Sequence, residues 1–451
     1  MKTAPNHATP PQPIEAPAPR PLPALPSSLD WDALCERFLP DLEERACELG
    51  LIQRVQSFLC ARDIVRLLLA YVTGDVSFRS LALWAAVVLG LDVTDEAIRV
   101  KCLRALPLVE QLVRTLLARL APAPFDNGQG SVSVRLIDAT MLSGPGSAGI
   151  DWRLHVTYDL ARRGTVGLEL TDDKQAEGLA RCAAGRFDIP IGDRAYGLAK
   201  HYHHGFDQGQ YPLLRVQLTN LRLTDEAANV LPVRALLERA RQGEDDMAVL
   251  VPLGKESRAA RLVWGQLPPE QAGRARQTLR KNSSKKGHTP SDEALELAGY
   301  VVLLTRLPRE AFSVAVLRKL YRQRWQIELY FKRCRQLLGL WPAKKLGGKM
   351  SRVMAWTKML LAALLEAQQP TRALADVEPG QPPVSLWRLT HVLMLSMTAT
   401  VFAALTDGWE KWVAKLAERR RRKRKYACWE LASLQEVLAR WQDELSQQTE
   451  A

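Results

Sequence analysis

The chain has 451 residues, 47% hydrophobic and 25% charged, a globular balance that excludes a collagen-like repeat, a coiled-coil rod and a wholly disordered chain. Lys and Arg number 62 against 49 acids, a net charge of +13, and two runs hold the entire excess: six cations and no acid across 274–286, and seven consecutive cations from Arg419 to Lys425. A balanced body with two cationic patches points to a polyanionic partner.

In chain order, residues 1–28 carry nine of the 27 prolines and read as a Pro-rich leader without core-forming content. From 29 to about 125 the apolar residues recur at three- and four-residue steps, so this region reads as helical. Ser77 is placed to cap one short helix, Gly90 stops it, and a second starts at Thr94. The second carries Arg99, Lys101 and Arg104, and the pair resembles a helix-turn-helix; a helical bundle with solvated basic residues is the other reading. After a linker at 121–130 the period changes to two. Val132, Val134 and Leu136 alternate up to Asp138, followed by a run from Trp152 to Leu160 and another from Val166 to Leu170, which together read as an antiparallel meander. A helical stretch is expected at Lys174–Ala184, a strand at Phe187–Ile191 ending on Gly192-Asp193, a helical turn at Ala195–His203 and a strand at Tyr211–Thr219. Residues 206–299 read as an insertion with strand candidates at Met247–Leu253 and Arg261–Trp264, a helix at Val233–Gln242 and the first basic run. Val301–Thr305 is a further strand, a long helix is expected from about Ala311 to Leu338, and residues 346–451 read as a helical region holding the second basic run.

Seven cysteines, an odd number with no Cys-x-x-Cys, suit a reducing cytosol. No signal-peptide stretch opens the chain, and the charge-free apolar run 392–405 falls short of the about 20 residues that span a bilayer, so it reads as a buried helix and no membrane partner is expected. His201-Tyr-His-His204 has no Cys or acid partner at zinc-ligand spacing and reads as a solvated helix end. There is no Gly-rich phosphate loop, which argues against ATP-driven chemistry.

Asp138 and Asp193 both read as strand-end carboxylates, where open α/β sheets place ligand groups, and a carboxylate pair there suits Mg²⁺. On a wheel of about 100° per residue, Tyr321, Arg324, Glu328, Lys332 and Arg335 form one narrow stripe, beside an apolar stripe of Ile327, Phe331, Cys334 and Leu338. The stripe presents a carboxylate flanked by cations and a phenol; a solvated face stitched by i,i+4 pairs is the other reading.

The segment Tyr321-Arg-Gln-Arg-Trp-Gln-Ile-Glu-Leu-Tyr-Phe-Lys-Arg-Cys-Arg335 resembles the Tyr-(2)-Arg-(3)-Glu-(6)-Lys signature of bacterial transposases of the insertion-sequence-four family, in the DDE class. Tyr321, Arg324 and Glu328 match, and Arg335 stands at the final Lys. Leu136-Ile-Asp138-Ala-Thr resembles the first-Asp block. Asp151-Trp-Arg-Leu-His155 and Leu170-Thr-Asp resemble the strands after it, and Gly192-Asp193-Arg-Ala-Tyr196-Gly the second-Asp block, with Ala195 in place of Gly. The resemblance covers about residues 55–365.

It implies an α/β, RNase H-like catalytic core (130–205 and 300–345) interrupted by a strand-containing insertion, with helical N- and C-terminal regions. It implies catalytic and metal-holding roles for Asp138, Asp193 and Glu328 with two Mg²⁺ ions, Mn²⁺ substituting, and DNA contacts from Tyr321, Arg324, Lys332 and Arg335. Trp325, on the same side of the wheel, offers a stacking surface for a flipped base, or fills core. The implied activity is cutting of transposon ends and their joining to target DNA. The implied partners are double-stranded DNA (terminal inverted repeats and target) and a second copy in a homodimer on DNA, in the bacterial cytoplasm and nucleoid. The alternatives are an RNase H-like nuclease without transposition and a catalytically degenerate DNA-binding repressor.

Overall fold

The period-2 runs do form one sheet. A computed structural model describes residues 30–52, 60–74, 76–122, 132–143, 151–340, 348–369 and 385–402. Its strands are β1 (Val134–Leu142), β2 (Trp152–Asp159), β3 (Gly164–Thr171), β4 (Ile189–Gly192), β5 (Leu213–Arg215), β6 (Asp246–Leu253), β7 (Glu256–Gln266) and β8 (Tyr300–Thr305), in the order β3-β2-β1-β4-β5-β8-β7-β6. β1 to β3 form the antiparallel meander, and β4 and β5 run parallel to β1 and to each other. A meander followed by two parallel strands on the β1 side is the RNase H-like arrangement. β8 then pairs antiparallel with β5 and carries β7 and β6 outward. The strands of the 206–299 segment therefore extend the same sheet.

Alternation gives the sheet two apolar faces. Leu136, Leu154, Val156, Tyr158, Ile191 and Leu213 point to one core, and Ile137, Leu214, Leu262 and Leu304 to another. Between alternating apolar residues, Arg135 turns to the second side and is 4% exposed. Its guanidinium donates to Asp159 at 2.6 Å and to Asp188 at 3.1 Å, and Asp188 also accepts from the Ser133 and Gly185 amides. This buried ion set ties β1 to β2 and to the approach to β4.

The first core is shared with helices. α1 (Trp31–Phe38), α2 (Leu42–Glu48), α3 (Ala61–Gly74), α4 (Phe78–Val88), α5 (Asp95–Arg104) and α6 (Leu106–Leu120) contribute to it. So do α11 (Val314–Arg322), α12 (Trp325–Gln336), α13 (Gly348–Ala367) and α14 (Leu386–Phe402). α13 is buried nearly all round and packs on α6, α3 and β3. Its Glu366 carboxylate accepts from the Thr165 amide at 2.7 Å and the Thr165 hydroxyl at 3.1 Å. The second face is covered by α7 (Ala199–Asp207) and α8 (Val233–Arg241). α9 (Pro269–Lys285) and α10 (Asp292–Leu297) complete the insertion.

Several expectations are corrected. Lys174–Ala184 is a loop with one 3₁₀ turn at Leu179–Arg181. Side chains hold it to the meander in place of helical bonds: Asp172 accepts from the Gln175 amide, Arg153 donates to the Gln175 carbonyl, and Arg181 pairs with Glu169. The long helix expected over 311–338 is two, α11 and α12. Asp138 lies in the middle of β1, which continues to Leu142. His201 and His203 are buried: His201 Nδ1 accepts from the Leu179 amide, and His203 Nε2 lies 2.7 Å from the Val251 carbonyl. The apolar run at 392–405 enters α14, but Val392 and Leu395 are exposed. Among the described residues no helix is long and apolar enough to cross a membrane.

Ser77 and Thr94 cap α4 and α5, accepting from the Ser80 and Ala97 amides at 3.1 Å, and Gly90 takes a left-handed backbone between them. Arg99 is forked onto Glu96 within its own helix. The leader at 1–28 and the run 419–425 lie outside the described residues.

Candidate active site

Sheet register brings the two aspartates together. Leu136 pairs with Ile191 across the parallel β1–β4 ladder, so two residues further Asp138 stands beside Asp193, on the face that carries the first core. Asp193 is fixed by the turn that ends β4. Its Oδ1 accepts from the Ala195 amide at 2.8 Å, its carbonyl from the Tyr196 amide at 3.2 Å, and the buried Tyr196 ring folds back over Gly192. A Cβ at Gly192 would sit 2.7 Å from that of Tyr196, which is why glycine precedes the aspartate. Ala195 is not among the residues with a left-handed backbone, so alanine is accommodated there without strain.

Glu328 arrives from α12, which packs Ile327, Tyr330, Phe331 and Cys334 against the sheet. Between it and Asp138 lies Arg324. Its Nη1 donates to Asp138 Oδ2 at 3.2 Å and its Nη2 to Glu328 Oε1. Four bonds to the carbonyl three residues before, from the Gln323, Arg324, Gln326 and Ile327 amides, tighten the chain between α11 and α12. A 3₁₀ step turns by about 120° instead of 100°, so the wheel drawn through one continuous helix does not hold across this junction. The Arg324–Glu328 pair lies on its α12 side and survives.

Burial first, and then the neighbouring charge of Asp193, push the Asp138 carboxyl up to about 7, against the lowering effects of the Ala139 amide and Arg324. Glu177, from the loop after β3, adds a further carboxylate: burial and Asp193 raise it. Tyr321 lies close to Arg215, Arg324 and Asp193, and burial raises its phenol. Among the described residues no three His, Cys, Asp or Glu side chains converge at metal-ligand distance. The Arg324 guanidinium bridges two of these carboxylates, Asp138 and Glu328.

The transposase DDE domain family matches residues 130–365. The putative transposase InsL of insertion sequence element IS186A from Escherichia coli K12 is 32% identical over 335 residues, 72% of this chain and 90% of the relative. The transposase of insertion sequence element IS421 from Escherichia coli is 32% identical over 336 residues, with the same coverage. The chain belongs to the DDE transposase family. Its likeness to the IS186 and IS421 transposases is consistent with the insertion-sequence-four group. A solved piggyBac transposase synaptic complex with hairpin DNA aligns over 87% of this transposase and 86% of that chain, with a TM-score of 0.45 and 9% identity.

Of the residues singled out in the transposase sequence, Asp138, Asp193, Glu328, Arg324 and Tyr321 lie together. Lys332 is exposed on α12 with its ammonium 5.9 Å from the Trp387 ring on α14. Arg335 is exposed, and Trp325 is 58% exposed, so it is not core filler. Sequence reading missed Glu177, Arg194 and Arg215. Glu177 sits in a segment expected to be helical. Arg194 and Arg215 become neighbours only through the β4–β5 ladder, which no local spacing reports.

Proposed function

We propose that this transposase cuts DNA at the ends of a mobile element and joins those ends to target DNA by phosphodiester hydrolysis and strand transfer. The observation that carries the reading is the row of Asp138 beside Asp193 with Glu328 drawn to them through Arg324. The donor set is all carboxylate oxygen, which suits a hard cation such as Mg²⁺, with Mn²⁺ as a substitute. Burial, and after it the neighbouring Asp193, raises Asp138 to about 7, so its anionic form would gain from a bound cation. Asp138, Asp193 and Glu328 would hold two ions once Arg324 turns to a phosphate. When bound, such ions supply Lewis-acid polarisation of the phosphoryl oxygen and an activated hydroxyl nucleophile.

The chain's own residues do the rest. Arg324 and Tyr321 orient the scissile phosphate, and Lys332 and Arg335 extend the positive side of α12 toward DNA. The exposed α9 cations Arg280, Lys281 and Lys285 bind backbone outside the site. Joining two ends calls for two copies, hence a homodimer on double-stranded DNA. A strand-transfer assay tests the reading: a pre-cut element end with a free 3′-hydroxyl, incubated with plasmid and Mg²⁺, yields joined product. Nicking of the plasmid without joining would instead indicate a nuclease.

A further inference from the structure

Arg215 has a position that the pattern of the signature residues does not convey. Gly192 pairs with Leu214 on β5, so one step further Arg215 stands beside Asp193. Leu136, Ile191 and Leu213 all face the first core, and Asp138, Asp193 and Arg215 each lie two residues beyond them. Two carboxylates and a guanidinium thus form one row, on one face, across three adjacent parallel strands.

Arg194, next to Asp193, lines one cleft with Arg215, and both Arg194 and Tyr321 feel the Arg215 charge. Among the described residues neither Arg194 nor Arg215 makes a hydrogen bond or ion pair through its guanidinium, in contrast to Arg324. Two like charges side by side repel, and an anion between them relieves that repulsion while using their planar donor forks. From these arginines a cleft of about 320 Å³ runs toward the insertion, with Gln217, Thr278, Asn282 and Tyr300 on its walls. Thr278 and Asn282 belong to α9, where Lys281 and Lys285 lie within about 60° of Thr278 on the wheel. The cleft therefore joins the two arginines at one end to the basic helix at the other, with Val216, Leu218, Leu279, Leu297 and Val302 between them.

We propose that Arg215 and Arg194 form a second anion site, which binds the backbone phosphate next to the scissile one and leads that DNA strand through the cleft toward α9. This rests on the proposed function, since it takes the carboxylates as the place of cutting. The site fixes which way the strand leaves: across β5 and β8, and not back over β2 and β3. Arg215 is a positioning residue, and its effect falls on one phosphate.

The test is binding, without divalent metal, of a duplex copied from the element's own end, with single neutral methylphosphonates placed in turn on either side of the cut. Fluorescence anisotropy reads affinity. For the unmodified protein, neutralising one flanking phosphate is expected to weaken binding about tenfold, whereas in Arg215→Gln the same change costs less than about twofold. Arg194→Gln, on the surface, shows the same loss of sensitivity, and Arg215→Lys regains part of it. The slope of log affinity against log salt falls by about one in Arg215→Gln. Equal sensitivity of both variants and the unmodified protein at every position overturns the proposal while leaving the cutting site intact. Absence of any duplex binding by the unmodified protein overturns both.

Discussion

Gly197 shows how little room the second aspartate's turn has. A Cβ there would lie 2.2 Å from the Arg215 carbonyl oxygen and 2.9 Å from the Val216 Cα, both backbone atoms that no rotamer change can move aside. Gly197→Ala is expected to push the 193–197 turn off β5, lowering stability by about 1–3 kcal/mol. It should reduce DNA cleavage more than DNA binding, because Asp193 moves with the turn. Thermal unfolding together with parallel cleavage and binding assays checks this. At this scale the sequence was informative where function compresses residues into a short motif: Tyr321, Arg324 and Glu328 sit within eight positions, and Asp138 and Asp193 each end a recognisable apolar pattern. It was silent on Arg215 and Glu177, whose places follow from strand pairing and from a loop.

Element boundaries were legible where alternation or a cap marked them. β2 and β3 alternate plainly, and Ser77 and Thr94 announce α4 and α5. The junction of α11 and α12 was not, since Gln323 and Arg324 keep right-handed helical backbone angles and no Gly or Pro marks the change. Within β1, Arg135 looks like a routine polar alternate but is the centre of a buried ion set with Asp159 and Asp188. Arg135→Met leaves both carboxylates buried without their cation, and is expected to cost about 3–5 kcal/mol. A loss of unfolding free energy in urea titration smaller than about 1 kcal/mol would show that water already serves those carboxylates.

Across the described residues, the N-terminal helices, one face of the sheet and the helix bearing Glu328 share a single core around α13, so the helix pair that resembles a helix-turn-helix belongs to the same packed layer as Glu328. The sequence pattern pointed to the helices and strands separately; their common core depends on long-range packing that periodicity does not encode. Burial also sets a pH response. It lowers His155 and His201 to about 4, from an ordinary value near 6.5. Depressed in the fold, these neutral imidazoles contribute stability above about pH 6.5 that is lost as pH falls toward 4. Their resonances should stay in the neutral form down to about pH 4, and His155→Phe should flatten the unfolding curve's dependence on pH across that window. Titration of either ring near 6.5 would mean that it is solvated.

The central claim is that Asp138, Asp193 and Glu328 act as one cutting site. Mg²⁺-dependent nicking of element-end DNA by Asp138→Asn, Asp193→Asn and Glu328→Gln, measured beside DNA binding, tests it most directly. The expected result is loss of nicking in all three with binding retained; nicking at the unmodified rate in any one of them would contradict the account.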